Sequence, residues 1–137
     1  MLRRNQKVEL IKHAPLFANC SKRELEEIAH LADEIDLNQG KEMTRQGSPG
    51  REFFVLLEGE ADVAKDGHVI NQLSAGDFFG EIALVSDSPR TATVTATTPV
   101  RALVITDRDF RHLLKDQPEI QSKVLAALAA RLAPEVL

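Results

Sequence analysis

The 137-residue chain contains no tryptophan and no tyrosine, only six phenylalanines, a single cysteine and two methionines. One cysteine excludes an intramolecular disulfide, so nothing in the chain asks for an oxidising compartment. Cys20 precedes a helix start, where it reads as a small buried thiol rather than a reactive one. An excess of basic residues is missing too. The formal net charge is -4, which argues against a nucleic-acid binder with its usual basic face. The cluster Arg3-Arg4 and Lys7 reads as a solvated helix end. No apolar run approaches the length of a membrane span, and the N-terminus lacks the apolar core of a signal peptide, so a cytoplasmic location is expected. What is present is ordinary for a globular chain, with 43% hydrophobic and 28% charged residues.

The first third reads as helical, over about residues 5–33. Val8 and Ile11 share one side of a segment that stops before Pro15. Ser21-Lys22-Arg23-Glu24 is a capping box, and Leu25, Ile28, Ala29 and Leu31-Ala32 supply an apolar face through about Asp33. Over about 35–106 the texture becomes that of short strands between glycines. Phe53-Phe54-Val55-Leu56-Leu57 is rich in strand formers, and Asp66-Gly67 predicts a two-residue hairpin with a type I′ turn. Thr91–Thr98 and Val100–Thr106 add two more β-branched segments. The last third, about 107–133, returns to helix. Asp107 is the expected N-cap, Pro118 the first residue of a second helix, and Ile120, Val124, Leu125, Leu128 and Leu132 form its apolar stripe. The expected fold is α+β: one domain over 1–137, an antiparallel β-roll or jelly roll flanked by N-terminal and C-terminal helices.

One stretch, Gly76–Val94, carries the chemistry. After the strand end Phe78-Phe79, Gly80 lets a ligand approach the backbone, and Glu81-Ile82-Ala83-Leu84 can form one helical turn. The leading N–H groups of such a turn favour an anion, most simply a phosphate. Arg90, returning from the Ser86-Asp87-Ser88-Pro89 turn, supplies a bidentate countercharge. Glu81 suits a ribose hydroxyl, and Thr91 and Thr93 add hydroxyls on either side of Ala92. The same residues also fit a Glu81–Arg90 ion pair that closes a loop.

Phe79-Gly80-Glu81-Ile82-Ala83-Leu84 followed by Pro89-Arg90-Thr91-Ala92-Thr93-Val94 resembles the phosphate-binding cassette of the cyclic nucleotide-binding domain. That family includes the regulatory subunits of cyclic-nucleotide-dependent kinases, bacterial catabolite activator proteins and cyclic-nucleotide-gated channels. The order of helix, glycine-punctuated roll, cassette and terminal helices is similar over most of the chain, with Gly40, Gly47, Gly59 and Gly76 at the family's turns. The resemblance implies a site made of Phe79, Gly80, Glu81, Ile82, Ala83, Arg90, Thr91 and Ala92. Glu81 would take the ribose 2′-hydroxyl, backbone N–H groups and Arg90 the phosphate, and Thr91 would stand beside a syn purine. It favours cAMP over cGMP as ligand, with no cofactor. Arg131 and Leu132 are the residues nearest to a base-capping lid; a solvated arginine and a core leucine account for them equally well.

A sensor module whose C-terminal helices repack on binding is therefore expected, acting through a homodimer seam on the last helix or through an effector outside these residues. Three other readings compete. A cupin-like metal enzyme needs clustered ligands, whereas His13, His30, His68 and His112 are widely spaced. A DNA-binding regulator needs a helix-turn-helix, for which residues 1–137 hold no segment. A degenerate roll without ligand fits an intact cassette poorly. No nucleophile–base pair suggests an enzyme.

Overall fold

In a computed structural model the backbone is described for residues 2–136 and the side chains for residues 2–130. Helix α1 (Arg4–Ile11), a 3-10 turn (Pro15–Phe17) and helix α2 (Lys22–Ala29) come first. The capping box at α2 forms as the sequence predicts, with Ser21 Oγ accepting from the Glu24 N–H and Glu24 Oε1 from the Ser21 N–H. The helix ends earlier than its apolar periodicity suggests. Leu31 and Ala32 leave it through tight turns onto Ile28 and Ala29, and Asp33 already opens strand β1 (Asp33–Leu37). Pairing with a long neighbouring strand outweighs one more helical turn there.

Seven strands follow β1: β2 (Glu42–Thr44), β3 (Glu52–Glu58), β4 (Ala61–Lys65), β5 (His68–Leu73), β6 (Phe78–Phe79), β7 (Thr93–Ala96) and β8 (Val100–Thr106). They form two antiparallel sheets, in the orders β1-β8-β3-β6 and β2-β7-β4-β5. The Asp66-Gly67 hairpin is present: Lys65 pairs with His68, and both turn residues have positive φ, 52° and 82°, as a type I′ turn requires. Thr91 and Ala92 precede β7 instead of belonging to it. Helices α3 (Asp107–Asp116) and α4 (Pro118–Val136) close the described chain. Thr106, not Asp107, caps α3. Thr106 keeps an extended backbone and its hydroxyl accepts from the Asp109 N–H, which leaves Asp107 as the first helical residue.

The alternation of strands β3 and β8 divides the core. Phe53 and Val55, with Leu103 and Ile105, face the helices, where Ile11, Leu16, Phe17, Ile28, Phe110, Ile120 and Val124 cover them. Phe54 and Leu56, with Val100 and Ala102, face the second sheet and meet Ala61, Leu73, Val94 and Ala96. A strand buried on both faces needs an unbroken apolar run, and this is why β3 reads Phe-Phe-Val-Leu-Leu. Each of the six phenylalanines meets another ring, in two groups: Phe17, Phe53, Phe78 and Phe110, with Phe17 edge-on to Phe53 at 5.9 Å, and Phe54 stacked on Phe79 at 5.0 Å. Leu125 departs from the expected stripe. Ile120, Val124 and Ala127 are buried, but Leu125 is 60% exposed. Leu132 lies outside the described side chains.

Candidate functional site

Strand β6 pairs with β3 through Phe54↔Phe79 and Val55↔Phe78. This pairing delivers the chain to Gly80, whose φ of +83° belongs to the left-handed region. From that bend Glu81–Leu84 makes one 3-10 turn, the short helical turn expected from the sequence. A side chain at position 80 would meet more than backbone strain: its Cβ would lie 2.5 Å from Arg90 Nη1 and 2.7 Å from the Glu52 carbonyl oxygen. Glycine here is required by conformation and by space together.

Arg90 comes from the other end of the connection and is fixed at three points. Its N–H donates to the Ser48 carbonyl and its own carbonyl accepts from the Gly47 N–H, both at 2.8 Å. Its Nη2 donates to the Glu52 carbonyl at 2.6 Å. Gly50 clears the path, because a Cβ there would come within 3.0 Å of Arg90 Cδ and Nε. Only 9% of the Arg90 side chain is exposed, and the charged neighbour it faces is the Glu52 carboxylate at 4.0 Å. Burial lowers its pKa from the ordinary value, partly countered by that carboxylate; arginine stays charged at neutral pH regardless.

Glu81 is 7% exposed, and its Oε2 accepts from the Leu16 N–H at 3.1 Å. The acid is thereby tied to the first 3-10 turn, which packs against α4 within the helical core. Between the Gly80 bend and Arg90 lies a cleft of about 330 Å³, within the usual range of small-molecule sites, about 300–1,000 Å³. Phe79, Gly80, Glu81, Ile82, Ala83, Arg90 and Thr91 all line it, together with Phe78, Ser88 and Pro89. Ala92 is not part of this lining; its carbonyl accepts from Thr44 Oγ1. The Thr93 hydroxyl is likewise engaged, accepting from the Gln46 N–H. Arg131 and Leu132 lie outside the described side chains. Among the described residues no group of three or more metal-ligating side chains converges, and no helix is long and apolar enough to cross a membrane.

Two contributors were not singled out from the sequence. Glu52 sits 38 positions from Arg90, beyond any local pattern. Gly50, just before β3, matters through close approach and not through a turn conformation, a signal that a glycine beside a strand can carry.

A buried, pre-placed guanidinium beside a glycine bend and an acid is an arrangement suited to a phosphorylated sugar. The family model for the cyclic nucleotide-binding domain matches residues 34–117. The chain belongs to the cyclic nucleotide-binding domain family. It is 34% identical over 113 residues to a cAMP-dependent protein kinase regulatory subunit of Eremothecium gossypii, covering 82% of this chain and 25% of that protein. It is 36% identical over 116 residues to a cyclic nucleotide-gated potassium channel of Rhizobium etli, covering 85% and 32% respectively. The chain thus spans about a quarter to a third of the length of these relatives. Among solved structures, the N-terminal domain of a transcriptional regulator from Streptomyces coelicolor A3(2) superposes with a TM-score of 0.81 at 29% identity, covering 92% of this chain and 94% of that one. The cAMP-bound PfPKA-R superposes with a TM-score of 0.67 at 26% identity, covering 98% of this chain and 48% of that one. The β-roll with flanking helices is the fold shared with these neighbours.

Proposed function

We propose that this chain is one cyclic nucleotide-binding domain over 1–137 that senses cAMP in the Gly80–Arg90 cleft and acts by binding, not by catalysis. The observation that carries the reading is the pre-placed Arg90, whose side chain is 9% exposed at the wall of a ligand-sized cleft. A buried cation facing open space is ready to pair with a phosphate through its remaining N–H groups. The ribose falls to Glu81, the phosphate also to the leading N–H groups of the 81–84 turn, and the purine to the side of the exposed Thr91 and Ile82. cAMP is preferred over cGMP because the kinase regulatory subunits resembling this chain are named for cAMP.

The output is a repacking of the C-terminal helices. Two contacts make the connection physical. Glu81 holds the Leu16 N–H, and so the turn beneath α4. Arg111 of α3 donates to the Leu84 carbonyl and pairs with Asp87 at 3.0 Å, on the loop between the cleft's two sides. A ligand that pulls on Glu81 and the 81–90 loop interacts differently with alternative helix positions, which is the condition for a shift between them. The exposed Leu125 on α4 offers an apolar contact to a second copy or to an effector.

Calorimetry and thermal shift with cAMP, cGMP and AMP test the reading. A ligand at 100 times its dissociation constant adds about 2.7 kcal/mol to apparent stability. Each charge-assisted hydrogen bond to Arg90 contributes about 1.5–3 kcal/mol, so loss of a bidentate contact in Arg90→Ala lowers affinity about 10²–10⁴-fold. A parent chain that neither cyclic nucleotide stabilises, or an Arg90→Ala variant that binds like the parent, overturns it.

A further inference from the structure

We propose that Glu52 is an affinity-setting residue of this site: its carboxylate faces Arg90 from the neighbouring cleft and weakens the hold of that arginine on an anionic ligand. The inference rests on reading the Gly80–Arg90 cleft as a cyclic nucleotide site. Arg90 forms a wall shared by two clefts. The first is the ligand cleft; the second, about 280 Å³, is lined by Glu42, Thr44, Arg45, Ser48, Pro49 and Glu52. Glu52 lines the second and not the first. A phosphate entering the first cleft would therefore not displace this carboxylate but add its charge to the same guanidinium from the other cleft.

The other charges of the second cleft are internally balanced. Glu42 and Arg45 pair at 2.5 Å, which leaves the Glu52 carboxylate, 4.0 Å from Nη2, as the anion Arg90 faces there. Two like charges sharing one cation repel, and the ligand meets an arginine already partly compensated. The carboxylate is not what holds the fork in place. That is the work of the Glu52 main-chain carbonyl, at 2.6 Å, and a carbonyl survives any side-chain substitution. Removing the carboxylate charge therefore frees positive potential for the ligand without releasing the arginine, and the sign of the effect follows: Glu52→Gln binds more tightly. The Glu52 side chain is 43% exposed, so solvent screening keeps the effect modest.

The test is isothermal calorimetry with cAMP on the parent chain, Glu52→Gln and Arg90→Ala, in low salt and in about 1 M salt. The expected result is a gain of about three- to tenfold in affinity for Glu52→Gln at low salt, shrinking toward parity at about 1 M, where the screening length falls to about 3 Å. The melting temperature of unliganded Glu52→Gln should match the parent, because the substituted side chain is part-exposed and the carbonyl contact is kept. Unchanged or weaker binding by Glu52→Gln in low salt, with Arg90→Ala still disabling, overturns the role of Glu52 while leaving the site intact. A gain that persists undiminished at high salt overturns the electrostatic cause. A parent that binds neither cAMP nor cGMP, or an Arg90→Ala variant that binds normally, overturns the site itself and this inference with it.

Discussion

Substituting Gly80 by alanine separates the two reasons for glycine at the Gly80 bend. The first is conformational. A φ of +83° costs an L-residue about 1–2 kcal/mol. The second is steric, since the new Cβ would lie 2.5 Å from Arg90 Nη1 and 2.7 Å from the Glu52 carbonyl. One of those atoms is backbone in the sheet core, so relief has to come from Arg90, which gives up its 2.6 Å bond to that carbonyl. A hydrogen bond from a charged donor is worth about 1.5–3 kcal/mol. Gly80→Ala should therefore lose about 2.5–5 kcal/mol in all, or about 10–20 °C in melting temperature for a chain of this size. Gly40→Ala is the control. Gly40 has a similar φ of +90° but nothing within 4 Å of its Cβ direction, so it should lose only the conformational 1–2 kcal/mol or so. Urea unfolding of both variants measures the difference, and cAMP titration should show Gly80→Ala weakened by about 10–100-fold while Gly40→Ala binds normally. A difference below about 0.5 kcal/mol, within the ordinary scatter of surface substitutions, together with parent-like binding by Gly80→Ala, would refute the claim that Gly80 exists to seat Arg90.

The Glu24–Lys123 pair, which joins α2 to α4, should give stability a defined pH dependence. The hydrogen bond to Lys123 holds the Glu24 carboxyl below its usual range, and the same bond raises the Lys123 ammonium. The depressed acid contributes stability above its unfolded pKa of about 4.3 and loses it as pH falls through the folded value; the raised base contributes below about 10.4 and loses it as pH rises past that. The melting-temperature gap between the parent and Lys123→Met should thus be level from about pH 5 to 9 and narrow on acidification; a gap constant down to about pH 2.5 contradicts the linkage. Burial pushes the Cys20 thiol up to about 11, so at pH 8 iodoacetamide should alkylate it about a hundredfold more slowly than a free thiol and catch up in urea. Equal rates folded and unfolded would count against that burial.

Local chemistry was legible in the sequence wherever the determining atoms are neighbours in the chain. The capping box of Ser21 and Glu24, the Asp66-Gly67 hairpin, Pro118 opening α4 and the twice-buried β3 all depend on spacings of a few residues. The glycine bend followed by a short turn at 80–84 was legible on the same grounds. Errors fell where a long-range contact outbid a local preference. Leu31-Ala32 continues the periodicity of α2, but Asp33 pairs with Val104 of β8. Asp107 is as good a cap by type as Thr106; the Asp107 N–H is instead drawn to the Arg51 carbonyl at 2.7 Å, which sets the helix start one residue earlier. Leu125 matches the helical period, yet the surface that α4 covers is narrower than its apolar stripe.

The cleft itself is unevenly prepared, and that asymmetry locates its open specificity. At the phosphate end every part is held beforehand: Arg90 by Gly47, Ser48 and Glu52, the bend by Gly80, and Glu81 by Leu16. Groups already ordered have little freedom left to lose on binding, so on the proposed reading the roll is pre-organised for a ribose phosphate. At the base end the described side chains are exposed, Ile82 at 37% and Thr91 as well. A purine set there would leave a face in solvent unless the last helix moved over it. On the proposed reading, discrimination between adenine and guanine falls to Thr91 and to a helix moved over the base, whereas the anion end would accept either nucleotide equally. Arg90→Ala should accordingly weaken cAMP and cGMP by the same factor, and Thr91→Ala should change their ratio; unequal losses in Arg90→Ala contradict that division.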